Sequence, residues 1–302
     1  MAAVPARPNL NDGFNEHGLG KSEKYYVAVW RRFRRSKSAL FGLTILAILI
    51  TVAIFAPALA PQKWDFFDLA LKNKPPSAEH WFGTDQFGRD VLSRIIWGAR
   101  ISLTVGFVAA SVAVLIGSAW GAIAGYYAGS WLDVTMMRIA EAIDNVPTLT
   151  LLIVVSSIIS RSVFTVMLVI GLTSWSGLAF LVRAQFLSLR ERDYVQAAAA
   201  LGALDRRIIF RHVLPNVVTI IIVNATLRIG GAILSETALN FLGFGAPPPF
   251  PTWGEMMSSG RNFMRVAPWI TTIPGIFITL TVLSFNFVGD GLRDALDPKM
   301  KR

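Results

Sequence analysis

Long apolar runs alternate along this chain with short polar stretches, and about six of the runs approach the roughly 20 residues that an α-helix needs to cross a bilayer. They cover approximately residues 39–60, 101–124, 134–159, 163–186, 217–242 and 268–289. Barrel strands would alternate apolar and polar positions over about ten residues, so these continuous runs predict helices instead. The fold class that follows is all-α, a polytopic membrane protein with about six transmembrane helices.

The polar stretches differ in kind. Residues 1–24 contain Pro and Gly without a sustained period and predict a flexible tail. Between residues 25 and 33, aromatics and arginines suit an interfacial helix along the inner headgroups, or equally a basic flank of the first run. That run follows a cluster from Arg31 to Lys37 and ends in Ala-Pro-Ala-Leu-Ala, which resembles a signal peptide with a small-residue cleavage site. A retained anchor is expected, because the run exceeds the usual ~7 to 15 residues of a signal core, its leader is long and more runs follow. Residues 61–100 carry Gly and Asp turn signals and a short amphipathic helix over 90–100. They read as an external lid or receptor contact, or as a helix in the outer interface that fixes the second span. The chain thus divides into a tail (1–24), an N-terminal unit (25–100), a main membrane domain (101–290) and a C-terminal tail (291–302).

Composition supports a bilayer protein. Of 302 residues, 53% are hydrophobic and 16% charged, with a mean hydropathy of +0.51. Cysteine is absent, which excludes disulfides, and His17, His80 and His212 are scattered, which argues against a metal centre or a membrane-embedded enzyme site. The net charge of +10 does not point to nucleic acid, because the basic residues gather at the ends of apolar runs. With the N-terminus in the cytoplasm, about 19 Lys and Arg fall on the inner side and about nine on the outer. Both termini and the 183–216 stretch are therefore expected in the cytoplasm.

Asn15 to Ser22 resembles a phosphate-binding P-loop, but Asn15 stands where that pattern requires glycine, and neither a strand nor a helix flanks it. Nucleotide binding by this chain is not expected. Residues 193–216 are more informative. An alanine-rich helix runs from Gln196 to Leu201, Gly202 can take a left-handed turn, and a second short helix opens near Asp205 and closes at Pro215. Gln196, Ala197, Ala198, Leu201, Gly202, Ala203, Ile209, Phe210, Val213, Leu214 and Pro215 resemble the EAA loop of ABC importer permeases, the surface on which a separate ATPase subunit pushes. Gln196 departs from the glutamate usual there, so no charged contact is carried over from it. Small side chains at 197–200 permit close helix contact, while Arg206, Arg207 and Arg211 can pair with an acidic groove.

Two further stretches resemble the OppC/DppC branch of peptide permeases: Trp81 to Leu103, with its Phe-Gly-Thr-Asp-Gln-Phe-Gly-Arg-Asp core, and Phe285 to Pro298. Glu236, the run from Phe241 to Gly245 and the run from Pro251 to Gly254 extend the resemblance from about residue 30 to the end. It implies the type I ABC importer transmembrane domain in a bacterial plasma (inner) membrane. It also implies four kinds of partner: a homologous second permease subunit, two cytoplasmic ATPase subunits that use ATP and Mg, an extracytoplasmic substrate-binding protein, and the lipid bilayer. This chain would bind no cofactor and perform no covalent chemistry. Dipeptides or oligopeptides are the implied cargo, with nickel complexes or glutathione as alternatives within the class. A secondary transporter would also fit the hydropathy, but it predicts an inverted repeat that is not evident here.

Polar residues inside the runs suggest the substrate path. Asn224, Arg228, Glu236 and Asn240 fall at multiples of four, a slowly rotating stripe on one helix. An unpaired arginine near mid-bilayer would cost at least ~2.5 to 3.5 kcal/mol, so Arg228 must face a partner or water. The stripe reads either as a lining of the translocation cavity, holding peptide backbone and termini, or as a structural interhelical pair. In the third run, steps of three from Arg138 to Glu141 and Asp144 suit an inner vestibule or, as the favoured reading, an intrahelical salt bridge, and Pro147 predicts a kink.

Overall fold

The computed structural model describes residues 25–159, 162–245 and 250–296. The tail expected over 1–24, with its P-loop look-alike, and residues 297–302 lie outside them. The helices are α1 (Tyr25–Phe33), α2 (Lys37–Ile54), α3 (Ala56–Leu59), α4 (Val91–Tyr126), α5 (Trp131–Asp144), α6 (Thr148–Ile158), α7 (Val163–Thr173), α8 (Ser176–Arg190), α9 (Asp193–Ala200), α10 (Asp205–Arg207), α11 (Leu214–Phe241), α12 (Trp253–Gly260) and α13 (Trp269–Leu296). Among the described residues the only β feature is one isolated bridge between Thr84 and Asp90.

Four segments are each long and apolar enough to cross a bilayer: α2, α4, the stretch 205–241 and α13. Two more spans form as bent pairs, α5 with α6 at 89° and α7 with α8 at 40°. The first bend falls where the sequence predicts a kink. Pro147 lacks the N–H that a continuing helix needs, and Asn145 turns its Nδ2 back onto the Glu141 carbonyl at 2.8 Å, closing α5.

α4 is the central post, packing against α2, α7, α8 and α11. Gly117, Gly121 and Gly125, spaced by four, let α8 approach so closely that a Cβ at these positions would lie 2.7, 2.4 and 2.7 Å from the carbonyls of Trp175, Ala179 and Arg183. Such small-residue ridges replace the hydrophobic drive that is absent between helices in lipid. A bidentate pair ties α8 to α5 as well, with Arg183 donating to Asp133 from Nε and Nη2 at 2.7 and 2.8 Å. The expected Arg138–Glu141 bridge forms at 2.9 Å, whereas Asp144 instead accepts from the Ser176 hydroxyl at 2.8 Å.

Two sequence expectations change. The amphipathic helix read over 90–100 is not separate; it is the opening of α4, whose 36 residues span about 54 Å at 1.5 Å per residue. Asp90 begins it by accepting from the Ser93 N–H at 2.8 Å. Nor does the second helix of the 193–216 loop close at Pro215. A π-helical stretch, Ile208–Val213, leads directly into α11, and the Leu214 N–H reaches back five residues to Ile209. Widening the helix there accommodates a proline that has no N–H to give.

Residues 61–90 fold into a compact cap over one end of α4. His80 Nδ1 lies 3.0 Å from Asp90, Arg89 donates to Asp85 at 2.6 Å, and Arg94 donates to Glu255 of α12 at 2.7 Å. Trp253 is fully buried, its backbone N–H on Ser102 Oγ and its indole N–H on the Ile95 carbonyl. Gly98 leaves room for that ring, since a Cβ there would meet it at 2.9 Å.

Candidate functional site

The 193–216 loop is built from its turn outward. Gly202 adopts φ +78, and the two hydrogen bonds of a Schellman cap flank it: Gly202 N–H to the Ala199 carbonyl at 2.9 Å and Ala203 N–H to Ala198 at 3.1 Å. A side chain at 202 would meet nothing within 4 Å, so glycine is required by the backbone angle and not by crowding.

Below the turn the loop has a fixed root. Val195, Ile208 and Val213 are buried with Leu178, Val182, Phe186 and Val217 of the bundle. Asp205 accepts from the Tyr126 hydroxyl at 2.7 Å and from the Tyr127 hydroxyl at 3.2 Å. Arg190 donates to the Tyr126 carbonyl at 2.7 Å, which ties α8, α4 and α10 together. The hydrogen bond to Asp205 holds the Tyr127 phenol above its ordinary range, since ionising it would place two anions side by side.

Above the turn the loop exposes an apolar and basic surface. Leu201, Leu204 and Phe210 are 89%, 77% and 62% exposed. Leu204, Arg206, Arg207 and Phe210 line a depression of about 390 Å³. Ala197 is exposed beside them, Ala198 and Ile209 are half-buried, and Leu214 begins α11 next to exposed Pro215. Gln196 is exposed and donates to the Glu191 carbonyl at 3.3 Å, a contact within its own loop. Sequence reasoning missed Tyr126, Tyr127 and Arg190. Their signal was a tyrosine pair closing a span, which an interfacial aromatic belt would explain equally well.

The polar stripe of α11 divides in two. Steps of four residues turn a helix 40° beyond a full circle, so Asn224 and Asn240 end up on different faces. Glu236 and Asn240 are buried inside this chain, at 1% and 6% exposure, and bond to each other at 2.5 Å beneath Thr252 and Gly254. Asn224 and Arg228 are half-buried. Asn224 turns onto its own helix at the Ile220 carbonyl, and an Arg228 Nη1 donates to the carbonyl of Ser174, in the break between α7 and α8. Among the described residues no group of His, Cys, Asp and Glu is arranged to hold a metal ion.

Comparison with known proteins places this geometry. Residues 117–302 match the family described as binding-protein-dependent transport system inner membrane component, and residues 25–76 match the N-terminal TM domain of oligopeptide transport permease C. The chain is 46% identical over 285 residues to a dipeptide transport system permease protein DppC of Alkalihalophilus pseudofirmus, covering 92% of this chain and 93% of that one. It is 40% identical over 302 residues to an oligopeptide transport system permease protein OppC of Bacillus subtilis, covering 99% and 97%. A glutathione transport system permease protein GsiD of Escherichia coli O157:H7 is 43% identical over 273 residues, covering 90% of each chain.

Proposed function

This chain belongs to the family of binding-protein-dependent transport system inner membrane components, and from that premise we propose that it forms half of the translocation pathway of an ATP-driven peptide importer. It is a non-catalytic permease, a multi-pass protein of the bacterial inner membrane. Its partners in this reading are a homologous second permease, two cytoplasmic ATPase subunits that use ATP and Mg, and an extracytoplasmic substrate-binding protein. Both termini and the 193–216 loop face the cytoplasm, in keeping with the excess of Lys and Arg on that side.

One observation carries the coupling role: the loop has a buried root and an exposed apolar crown ringed by Arg206, Arg207 and Arg211. A rigid root transmits displacement and an exposed crown receives it. ATP binding draws the ATPases together, the loop moves as a lever through Asp205 on Tyr126, and α4, α8 and α11 follow. The energy comes from the different affinities of the ATPases for the two states. Asn224 and Arg228 border the path in this reading, while Glu236 and Asn240 anchor α11 to α12 from within.

The test is ATP-driven uptake by the reconstituted complex. Gly202→Val combined with Phe210→Ala should abolish most uptake while the variant still inserts in the membrane; uptake at the wild-type rate would remove the lever. Import of glutathione is the second reading, favoured by the 43% identity to a glutathione permease over most of both chains.

A further inference from the structure

Arg228 sits at the middle of the 28-residue α11, where a charge is retained only for a partner or a function. Among the described residues no carboxylate lies within ion-pair distance of it. The acidic group whose field it feels, Asp144, is itself engaged by the Ser176 hydroxyl. Of the guanidinium donors, one Nη1 proton is spent on the Ser174 carbonyl, and the shielded Nε has no partner. Nη2, the other atom of that edge, points toward Gly177, where a built Cβ would come within 3.5 Å of it. A guanidinium edge with Nε and Nη2 both uncommitted is the fork that a carboxylate accepts from side-on.

The surroundings have room for such a group. Arg228 lines a notch of about 160 Å³ with Ala109, Ala113, Ser174, Gly231 and Ser235. Gly231 is exposed, and a side chain built there would meet nothing within 4 Å. Arg228, Gly231 and Ser235 are three and then four residues apart, so they share one face of α11. Apart from Ile170 the notch is walled by small side chains, and the guanidinium edge with Nε and Nη2 lies on the side of exposed Gly177.

We propose that this notch binds the terminal carboxylate of a peptide during passage, with Arg228 as the charged fork and the Ser174 carbonyl holding that fork in place. The proposal rests on the peptide-import reading. It goes further by naming the chemical group recognised, so a peptide with a free carboxylate is held where its C-terminal amide is not.

The absence of cysteine from this chain supplies the experiment. Gly231→Cys is introduced into the assembled transporter, and its alkylation by a maleimide is followed by the mass of this chain, without the binding protein. Tri-alanine should slow alkylation roughly tenfold, as expected for losing or gaining one bidentate charged pair, and tri-alanine amide should leave the rate unchanged. Arg228→Gln should remove the protection and Arg228→Lys should restore part of it. Equal protection by acid and amide, protection that survives Arg228→Gln, or no protection by either would each overturn the site. A complex that falls apart on Arg228→Gln would reassign the residue to a structural pair with the partner permease. Absence of ATP-driven uptake by the wild-type complex would instead defeat the import reading itself, so the two failures are separable.

Discussion

At one end of the bundle, the turn of the 193–216 loop is set by hydrogen bonds between residues three to five apart; at the other, the 61–90 cap is closed by pairs up to 185 positions apart. The loop's crown presents Leu201, Leu204 and Phe210 outward, while the cap buries His80, Asp85, Arg89, Asp90 and Arg94. α4 joins the two, one end begun by Asp90 and the other held by Tyr126 on Asp205. The contrast suggests a division of labour in which the cap is a fixed frame and the loop is the part a partner can grip.

Breaking the cap should have the largest effect. Arg94 pairs with Glu255 at 2.7 Å and lies 3.7 Å from Asp85, with 2% of its side chain exposed. Arg94→Ala would leave the nearly buried Glu255 carboxylate without its cation, while Asp85 keeps Arg89, and should destabilise the chain by about 3 to 5 kcal/mol. Thermal unfolding in detergent would measure it, and adding Glu255→Gln should recover part of the loss. A melting curve unchanged from wild type would mean that the cap is not the frame.

The anchor at Tyr126 should rank second. Tyr126→Phe removes a hydrogen bond to a carboxylate at a partly buried site, worth about 1.5 to 3 kcal/mol. Its loss should weaken coupling more than insertion: ATP hydrolysis should continue while uptake falls. In a double-mutant cycle with Asp205→Ala the two effects should be less than additive, because both variants remove the Tyr126–Asp205 contact. Additive effects would detach the loop from α4.

Gly202→Val comes third, at about 1 to 2 kcal/mol, because it forces a β-branched residue to φ +78. Gly202→Asn should be far milder, since asparagine tolerates the left-handed region and nothing crowds the site. Equal defects in the two variants would implicate space instead of backbone angle.

These ranks track what could be read from the chain alone. The spans were legible because a bilayer imposes length and apolarity, and the Gly202 turn because a Schellman cap is written in adjacent residues. Pro147 announced the bend between α5 and α6 for the same local reason. Arg94 with Glu255, and Tyr126 with Asp205, were not legible, because partners 161 and 79 positions apart meet only after the helices pack. The α11 stripe was half legible. Spacing by four placed its residues on one helix, but the 40° drift per step decides which neighbours they meet, and only α12 reveals that Glu236 and Asn240 turn inward.

Arg138→Ala is the smallest effect and the sharpest control. The bridge from Arg138 to Glu141 forms at 2.9 Å just as the spacing predicts, yet 78% and 44% of the two side chains are exposed. Water screens such a pair, and ordering two long side chains offsets most of the attraction, so its removal should cost no more than about 0.5 kcal/mol. Melting temperature and uptake should both stay near wild type. A loss as large as that of Tyr126→Phe would mean that local, exposed contacts govern this bundle as much as buried, distant ones, and the distinction between frame and grip would fail.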